Sequence, residues 1–217
     1  LGFTCCVTAF PFLWMAVSSL KTKEEVLDTA SFLPSVPQFG NYRSILADSP
    51  IPGYLANSFF VSLAAAAIQL VCCALFTYAV TFMKIRGRDM LFRLVLFTYM
   101  VPTAVTYIPC YIILSRMGLL DSYQGLILSN GVSVFGIFLL HQAFEAVPKE
   151  TMEAARMDGA GHLSILTRII VPMTRPSFMT FILLSFINTY NSYMWPSLIT
   201  DSPNLSLISQ GLRRFLY

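Results

Sequence analysis

The chain has 217 residues, of which 56% are hydrophobic and 12% are charged, and its formal net charge is +3. A soluble globular domain carries about 25% charged residues, so this composition argues against a soluble protein and predicts a membrane protein. The five cysteines lie inside apolar runs without a CxxC pair or a Cys/His cluster, which argues against a disulfide framework and a zinc site.

Five apolar runs follow one another along the chain, and each reaches the roughly 20 residues that cross a hydrocarbon core. They cover residues 1–20, 49–83, 94–115, 122–144 and 176–200. These lengths predict an all-α, polytopic membrane protein with five transmembrane helices. The alternative, a soluble protein with buried core helices, would need five unusually long helices in one short chain.

The two ends of the sequence favour a fragment. The first run lacks the basic region and the cleavage site of a signal peptide, and the chain begins with Leu1 instead of methionine. The last residues, 211–217, stop without a further apolar run. We therefore expect one transmembrane domain over residues 1–217, with its core at 54–200, cut at both ends.

The loop after the second run carries most of the orientation signal. It contains Lys84, Arg86, Arg88 and Arg93 against the single acid Asp89. Basic loops stay on the cytoplasmic side of a membrane, so this loop is predicted to face the cytoplasm. Alternation of the spans then places residues 145–175 inside, and it places residues 21–49, 116–121 and 201–217 outside.

Prolines are predicted to interrupt two of the spans. Pro102 and Pro109 lie within the third run, and Pro196 lies near the outer end of the fifth. A proline in a membrane helix bends it and frees backbone carbonyls, which suits either a gate or a fixed packing kink.

A charged insert at residues 148–172 separates the fourth run from the fifth. Pro148 suits the first position of a helix, and the acidic residues Glu150 and Glu153 suit its positive end. We predict a short helix over residues 148–157, a turn at Asp158 and Gly159, and a second helix from about residue 162 that Pro172 ends.

Small side chains near the start of the insert allow a close approach of another surface. Ala154 and Ala155 expose the backbone, and Glu153 offers a carboxylate to a charged or N–H partner. The pattern fits a plug that enters a socket on a partner protein. An amphipathic helix that rests on lipid headgroups is the alternative, although two alanines would waste its binding area.

The insert resembles the EAA signature of permease subunits of binding-protein-dependent ABC importers. The matching residues are Glu153, Ala154, Ala155, Gly159, Ile169 and Pro172, and Val171 stands where the family usually has leucine. The stretches NSFFVSLAAA, MVPTAVTYIPCYIILSRMGLLDSYQGLIL and YNSYMWPSLI extend the resemblance to the carbohydrate-importer branch, which holds the maltose and glycerol-3-phosphate systems. The family usually has six spans, so the resemblance implies a sixth that was truncated.

This resemblance implies that the insert is a coupling helix that docks into a cleft of an ATPase subunit. The implied docking residues are Glu153, Ala154, Ala155, Asp158, Gly159, Ile169 and Pro172. The implied partners are a second homologous permease, two ATPase subunits and an extracellular or periplasmic solute-binding protein. The implied location is a multi-pass position in the lipid bilayer of a bacterial or archaeal cell (inner) membrane, with no nucleic-acid partner.

The energy source is expected in another chain. No GxxxxGK[ST] phosphate loop occurs, so ATP and Mg are expected in the partner ATPase, and this chain is expected to bind no cofactor or metal and to be no enzyme. An intramembrane enzyme would need catalytic acids, and no Asp or Glu lies within a run. An ion-coupled secondary transporter would need an ionisable residue near the midplane, and the runs show none.

Polar and aromatic residues inside the runs are candidates for the solute pathway, because an unsatisfied polar group in lipid is costly. The candidates are Tyr107, Asn130, Asn188, Tyr190, Asn191, Tyr193 and Trp195. Aromatic rings and amides suit a sugar or oligosaccharide. A phosphate would need positive charge along the pathway, and the runs contain no Lys or Arg, so a neutral solute is favoured and glycerol-3-phosphate is the alternative. Tyr193 and Trp195 could also anchor the helix end in an interfacial belt, and the asparagines could join helices by hydrogen bonds.

Overall fold

A computed structural model describes residues 2–28 and 31–216, with side chains to residue 213. The described residues form an all-α fold without strands, as the sequence predicts. The chain divides into two compact units, Leu1–Pro52 and Gly53–Tyr217.

The first unit contains three helices: α1 (Gly2–Ser18), α2 (Lys23–Leu27) and α3 (Gly40–Asp48). Thr22 and Glu25 form a capping box at the start of α2, because each side chain accepts a hydrogen bond from the backbone N–H of the other. The Lys21 ammonium lies 4.8 Å from the centre of the Trp14 ring and donates to the Ser31 carbonyl at 2.6 Å. These contacts hold α2 and Ser31 to the end of α1.

The second unit holds the remaining helices. Their bounds are α4 (Ile51–Phe82), α5 (Arg88–Thr98), α6 (Thr103–Arg116), α7 (Tyr123–Leu128), α8 (Val134–Glu145), α9 (Lys149–Met157), α10 (His162–Ile165), a π-helical segment (Leu166–Ile170), α11 (Val171–Met173), α12 (Arg175–Tyr190), α13 (Met194–Ile199), a 3₁₀ turn (Pro203–Leu205) and α14 (Ile208–Leu216).

The predicted runs become helices, and several of them are broken. Among the described residues, α4 alone has both the length and the apolar composition of a membrane span, and there are up to three spans if each bent pair of helices counts as one. The pairs are α5 with α6, bent by 102°, and the helix His162–Met173 with α12, bent by 87°. The helices α1 and α8 are apolar but shorter, at 17 and 12 residues. The count of five spans stays a prediction.

Local chemistry explains where the runs break. Pro102 has an extended ψ of 130° and separates α5 from α6, as predicted. The prediction for Pro109 is wrong, because α6 continues through it; membrane helices tolerate such a residue when neighbouring groups satisfy the freed carbonyl. In the fourth run, the Ser133 hydroxyl accepts the Gly136 N–H at 3.1 Å and starts a new helix, α8.

Two apolar clusters hold the second unit together. The first, here named the insert cluster, joins α4, α8 and α12 to the insert through Tyr78, Phe144, Phe178, Met152 and Ile165, among others. The second, the Trp195 cluster, joins α4, α6, α7 and α13 and consists of Val61, Leu114, Leu126, Trp195, Ile199 and Leu207. The insert is therefore continuous with the packed core and is not a free loop.

Candidate functional site

Helix α9 presents two different sides. Met152 and Ala155 are 3% and 9% exposed and pack into the insert cluster. Glu153 and Ala154 are exposed, and Met157 is 88% exposed. The two alanines expected on one docking face therefore separate, because residues next to each other on a helix point in directions about 100° apart. Ala155 brings α9 close to the core, whereas Ala154 remains open to a partner.

The turn after α9 is a Schellman motif. The Ala160 N–H donates to the Ala155 carbonyl and the Gly159 N–H donates to the Arg156 carbonyl, both at 3.0 Å. Gly159 has φ +78°, a left-handed conformation that favours glycine, although a Cβ there would meet nothing within 4 Å. Asp158 caps the helix and is exposed. The predicted turn at Asp158 and Gly159 is confirmed.

The second helix of the insert contains a widened turn. In the π-helical segment Leu166–Ile170, the Val171 N–H reaches back five residues to the Leu166 carbonyl. This turn precedes Pro172, which lacks an N–H and would crowd the carbonyl of a regular turn. The helix consequently continues to Met173, one residue past its predicted end, and Thr174 separates it from α12. Ile169 is half-buried against the insert cluster and Pro172 is exposed.

Both arms of the insert are hydrogen-bonded to the last turns of α4. The Tyr78 hydroxyl and the His162 Nδ1 share a hydrogen bond of 3.0 Å, which ties α10 to α4. Arg156 Nη2 donates to the Phe82 carbonyl at 3.0 Å, which ties α9 to the end of α4. A displacement of the insert must therefore move α4 or break these bonds.

A cleft of about 550 Å³ opens beside α9, next to the ends of α4 and α8. Its walls carry cations and acids from different elements, and its floor is apolar. The charged residues are Lys84, Arg88, Lys149, Arg156, Glu145 and Glu153, and the apolar residues are Phe82, Phe144, Val147 and Met152. Glu153 thus lies between the exposed side of α9 and a basic cleft.

Two smaller cavities lie between the helices farther along the unit. The first, about 170 Å³, is lined by Gln69, Asn130, Ser133, Ser185, Asn188, Thr189 and Ser192, with Val132, Phe135, Phe181 and Leu184. The second, about 180 Å³, is lined by Thr103, Thr106, Tyr107, Cys110, Ser129, Asn130, Ser192 and Trp195. Both include Asn130 and Ser192, so they are neighbours, and no Asp, Glu, Lys or Arg lines either of them.

Gln69 crosslinks three helical segments at the first cavity. Its Nε2 donates to the Asn130 carbonyl at 2.6 Å, and its Oε1 accepts the Ser185 hydroxyl at 2.7 Å. The side chain of Asn130 donates to the Leu126 carbonyl at 2.8 Å. The Asn130 side chain therefore bonds within its own segment, and only its backbone carbonyl joins another helix, whereas the Asn188 side chain is exposed to the cavity.

Trp195 faces the interior of the unit. It is 8% exposed, stacks on Tyr107 with ring centres 5.4 Å apart, and donates its indole N–H to the Ser129 hydroxyl at 2.8 Å. These contacts contradict the interfacial-belt alternative for this residue. Tyr193 instead lies under the Arg213 guanidinium, 5.0 Å from the ring centre.

The structure does not gather all the solute-pathway candidates. Tyr107, Asn130, Asn188 and Trp195 line the two polar cavities. Tyr190 stacks on Phe186 at 5.6 Å, and Asn191 is exposed at the end of α12. Neither of these two residues, nor Tyr193, lines either cavity.

Some residues of the site were not singled out in the sequence. Gln69 could have been found from the sequence, because it is the one amide side chain between Asn57 and the end of the second apolar run. A polar side chain in such a run indicates a functional or helix-joining role. Tyr78 and Phe82, which hold the insert, are ordinary aromatic residues of an apolar helix. Their role follows only from three-dimensional contacts.

A latch on the opposite side of the unit connects the turn before α7 to the segment after α13. The Asp121 carboxylate accepts the backbone N–H groups of Asp201 and Ser202 at 3.0 and 2.9 Å, and it also accepts the Ser202 hydroxyl. The hydrogen bonds from the Ser202 side chain and backbone, and then from Asp201, hold the pKa of Asp121 below its usual value. Asp121 has φ +52°, which aspartate tolerates better than most residues.

Comparison with known proteins gives a consistent family. A family model described as "Binding-protein-dependent transport system inner membrane component" matches residues 71–217. The sn-glycerol-3-phosphate transport system permease protein UgpE of Agrobacterium fabrum is 30% identical over 97% of this chain and 77% of its own length. The arabinooligosaccharides transport system permease protein AraQ of Bacillus subtilis is 30% identical over 95% of this chain and 75% of its own.

A lactose relative and a solved structure extend these similarities. The lactose transport system permease protein LacG of Rhizobium radiobacter is 27% identical over 96% of this chain and 76% of its own. A crystal structure of a bacterial ABC transporter involved in the import of the acidic polysaccharide alginate contains a chain with a TM-score of 0.90 to this one. That chain is 26% identical, and the match covers 98% of this chain and 76% of that one.

Proposed function

Because this chain belongs to the family of binding-protein-dependent transport system inner membrane components, we propose that it is the permease subunit of an ATP-driven importer for a neutral sugar or oligosaccharide. The insert receives the closing motion of the ATPase subunits, and the helices around the polar cavities open alternately to the two sides of the membrane. Two separate ATPase subunits hold ATP and Mg, and a second permease completes the pore. The membrane is the bacterial inner membrane.

One observation carries this proposal. Both arms of the insert are hydrogen-bonded to α4, at Tyr78 and Phe82, and their buried side chains pack against α8 and α12. A partner that moves the insert therefore acts on three helices at once. The same helices supply Gln69, Ser133 and Asn188 to the first polar cavity.

The proposed docking face is the exposed side of the turn. It comprises Glu153, Ala154, Asp158 and Gly159, with Met157 as an apolar contact. Ala155 and Ile169 support this face from the core side, and Pro172 continues it along the second helix. Binding energy of such an interface is expected to concentrate in a few well-packed residues, of which Met157 and Glu153 are the candidates.

Replacement of Glu153 tests the docking face. We expect Glu153→Ala to reduce co-purification of the ATPase subunits and solute-stimulated ATP hydrolysis by about tenfold or more, since loss of a charged hydrogen-bond partner costs about 1.5 to 3 kcal/mol. Glu24→Ala is the control, an exposed carboxylate on α2 of the first unit and outside the proposed face. Equal effects of both variants, or no effect of either, would contradict the assignment.

The solute class rests on the uncharged lining of the two cavities. Amides, hydroxyls and aromatic rings bind the hydroxyl groups and apolar faces of a sugar, whereas a phosphate would need cations that neither cavity supplies. The relatives named for arabinooligosaccharides and lactose support a sugar, and the relative named for sn-glycerol-3-phosphate keeps that solute as the alternative.

Two asparagines of the same region separate the solute proposal from its alternatives. We expect Asn188→Ala, which alters a cavity wall, to raise the KM for uptake of a neutral sugar by about fivefold, the equivalent of one hydrogen bond. Asn191→Ala lies outside both cavities and should leave the KM unchanged. Uptake of glycerol-3-phosphate in preference to sugars, insensitive to Asn188, would support the alternative solute.

A further inference from the structure

The basic cleft beside α9 shares Glu153 and Arg156 with the coupling scheme described above, but that scheme gives its two lysines no role. Four cations from two segments line it: Lys84 and Arg88 at the junction of α4 and α5, and Lys149 and Arg156 on α9. Two acids share the walls, Glu145 and Glu153, so the lining carries a net positive charge of two if all six groups are ionised. The apolar floor makes the cleft amphipathic.

The four cations divide into two structural and two unengaged groups. Arg88 donates to the Thr81 carbonyl at 3.1 Å and pairs with Asp89 at 3.5 Å, and Arg156 donates to the Phe82 carbonyl. These arginines therefore cap the end of α4. Within the residues that the structure describes, Lys84 and Lys149 form no ion pair or hydrogen bond with protein groups.

Neither acid of the cleft neutralises these lysines. Glu145 lies 3.6 Å from His141, one turn earlier in α8, and Glu153 has no ion pair within 4 Å among the described residues. Two lysines therefore line an opening of about 550 Å³ without an ion-pair partner among the described residues. This arrangement fits an anionic ligand.

The position of the cleft favours one source of that anion. Phe82 is the last residue of α4, and Phe144 is next to the last residue of α8. In the orientation predicted from the basic loop, the cleft therefore lies at the cytoplasmic ends of these two helices. Of the apolar residues that line the cleft, Phe144, Val147 and Met152 are nearly covered by the protein, so the half-buried Phe82 offers the main apolar contact to a ligand. A lipid combines an anionic phosphate with apolar chains, whereas a free phosphate would not use this floor.

We propose that this cleft binds the headgroup phosphate of an anionic phospholipid of the cytoplasmic leaflet, through Lys84 and Lys149. The bound lipid lies against α9 and the end of α4, so its presence stabilises the seat of the insert. The orientation of the cleft rests on the proposed function. Lipid binding itself is a separate property that can be measured independently of transport.

The test uses the complete transporter, with its ATPase subunits, in nanodiscs that contain phosphatidylcholine and phosphatidylglycerol. Native mass spectrometry after gentle release should show phosphatidylglycerol retained by the unmodified protein. The double variant Lys84→Gln/Lys149→Gln should retain it about thirtyfold less, because each basic residue near an anionic lipid contributes about fivefold. The matched control, Lys23→Gln/Arg43→Gln, removes two positive charges from the first unit and should retain the lipid fully.

Three results would overturn the proposal. Equal loss of lipid in the control would show attraction to the whole surface instead of the cleft. Displacement of the lipid by inorganic phosphate would show a site for a free anion. Loss of the ATPase subunits from the double variant, with lipid retention unchanged, would show that the cleft belongs to the protein interface. Because the same spectra report ATPase association and lipid retention as separate masses, failure of the coupling proposal and failure of the lipid proposal are distinguishable.

Discussion

Gly159 determines the shape of the insert through its backbone and not through space. At φ +78° an alanine would be strained by about 1 to 2 kcal/mol, although its Cβ would touch nothing. We expect Gly159→Ala to lower solute-stimulated ATP hydrolysis while the permease still folds, as measured in proteoliposomes. Gly161→Ala is the control, because Gly161 has an ordinary φ of −72° and equally open surroundings. An equal loss of activity in both variants would refute the conformational explanation.

Asp121 gives the latch to Asp201 and Ser202 a defined pH dependence. Hydrogen bonds from Ser202 and then from Asp201 lower the native pKa of Asp121. The carboxylate therefore stabilises the latch fully above the ordinary aspartate pKa of about 3.9, and this stabilisation disappears as the pH falls through the lowered native pKa. We expect hydrogen exchange at the Asp201 and Ser202 amides to accelerate, relative to neighbouring amides, over that acidic range.

The control for this latch keeps the backbone preference and removes the charge. Asn tolerates the same positive φ, so Asp121→Asn should preserve the turn and abolish the acidic transition. Asp201→Asn, a neighbouring exposed acid whose backbone alone participates in the latch, should retain the transition. Persistence of the transition in Asp121→Asn would assign it to another group.

At the scale of elements, α8 and α12 approach each other closely at a small residue, Gly136. A Cβ on Gly136 would lie 2.2 Å from the Phe181 ring, so Gly136→Ala must displace this buried ring or one of the two helices. Overpacking of this kind costs about 1 to 3 kcal/mol. We expect a lower melting temperature and impaired transport, measured by a thermal shift assay in detergent and by uptake. Gly53→Ala, which meets nothing within 4 Å, should leave the melting temperature unchanged.

Elements were predictable from the sequence where composition decides, and not where long-range packing decides. The helix of the insert, its turn and the break at Pro102 follow from proline, glycine and charge positions. The π-helical segment, and which of Ala154 and Ala155 faces the core, depend on how the insert sits on Tyr78 and Phe82. For the same reason Ser192, which lines both cavities, came from the fold alone, and so did the hydrogen-bond partners of Gln69.

For the whole molecule, the energy source separates a primary importer from an ion-coupled carrier. We expect uptake to persist when the proton gradient is collapsed and ATP is maintained, because no Asp, Glu, His, Lys or Arg side chain lines either polar cavity. Uptake that stops with the gradient at constant ATP would contradict the proposed function.

Orientation of the whole chain can be checked by thiol labelling. Met157 is 88% exposed, and Asn204 is exposed on the segment after α13. In a background without native cysteines, we expect Met157→Cys to react with a membrane-impermeant reagent from the cytoplasmic side only. Asn204→Cys should react from the outer side only. Labelling of both positions from one side would contradict the predicted topology.

The burial of Met152 and Ala155 in the insert cluster also determines how a movement of the insert is transmitted. Side chains of α4, α8 and α12 meet in that cluster, and close-packed interiors have little compressibility. A force on α9 is therefore transmitted to α4, α8 and α12 together. The first polar cavity, between those helices, should alternate between two discrete shapes, and solute release should follow nucleotide turnover one cycle at a time.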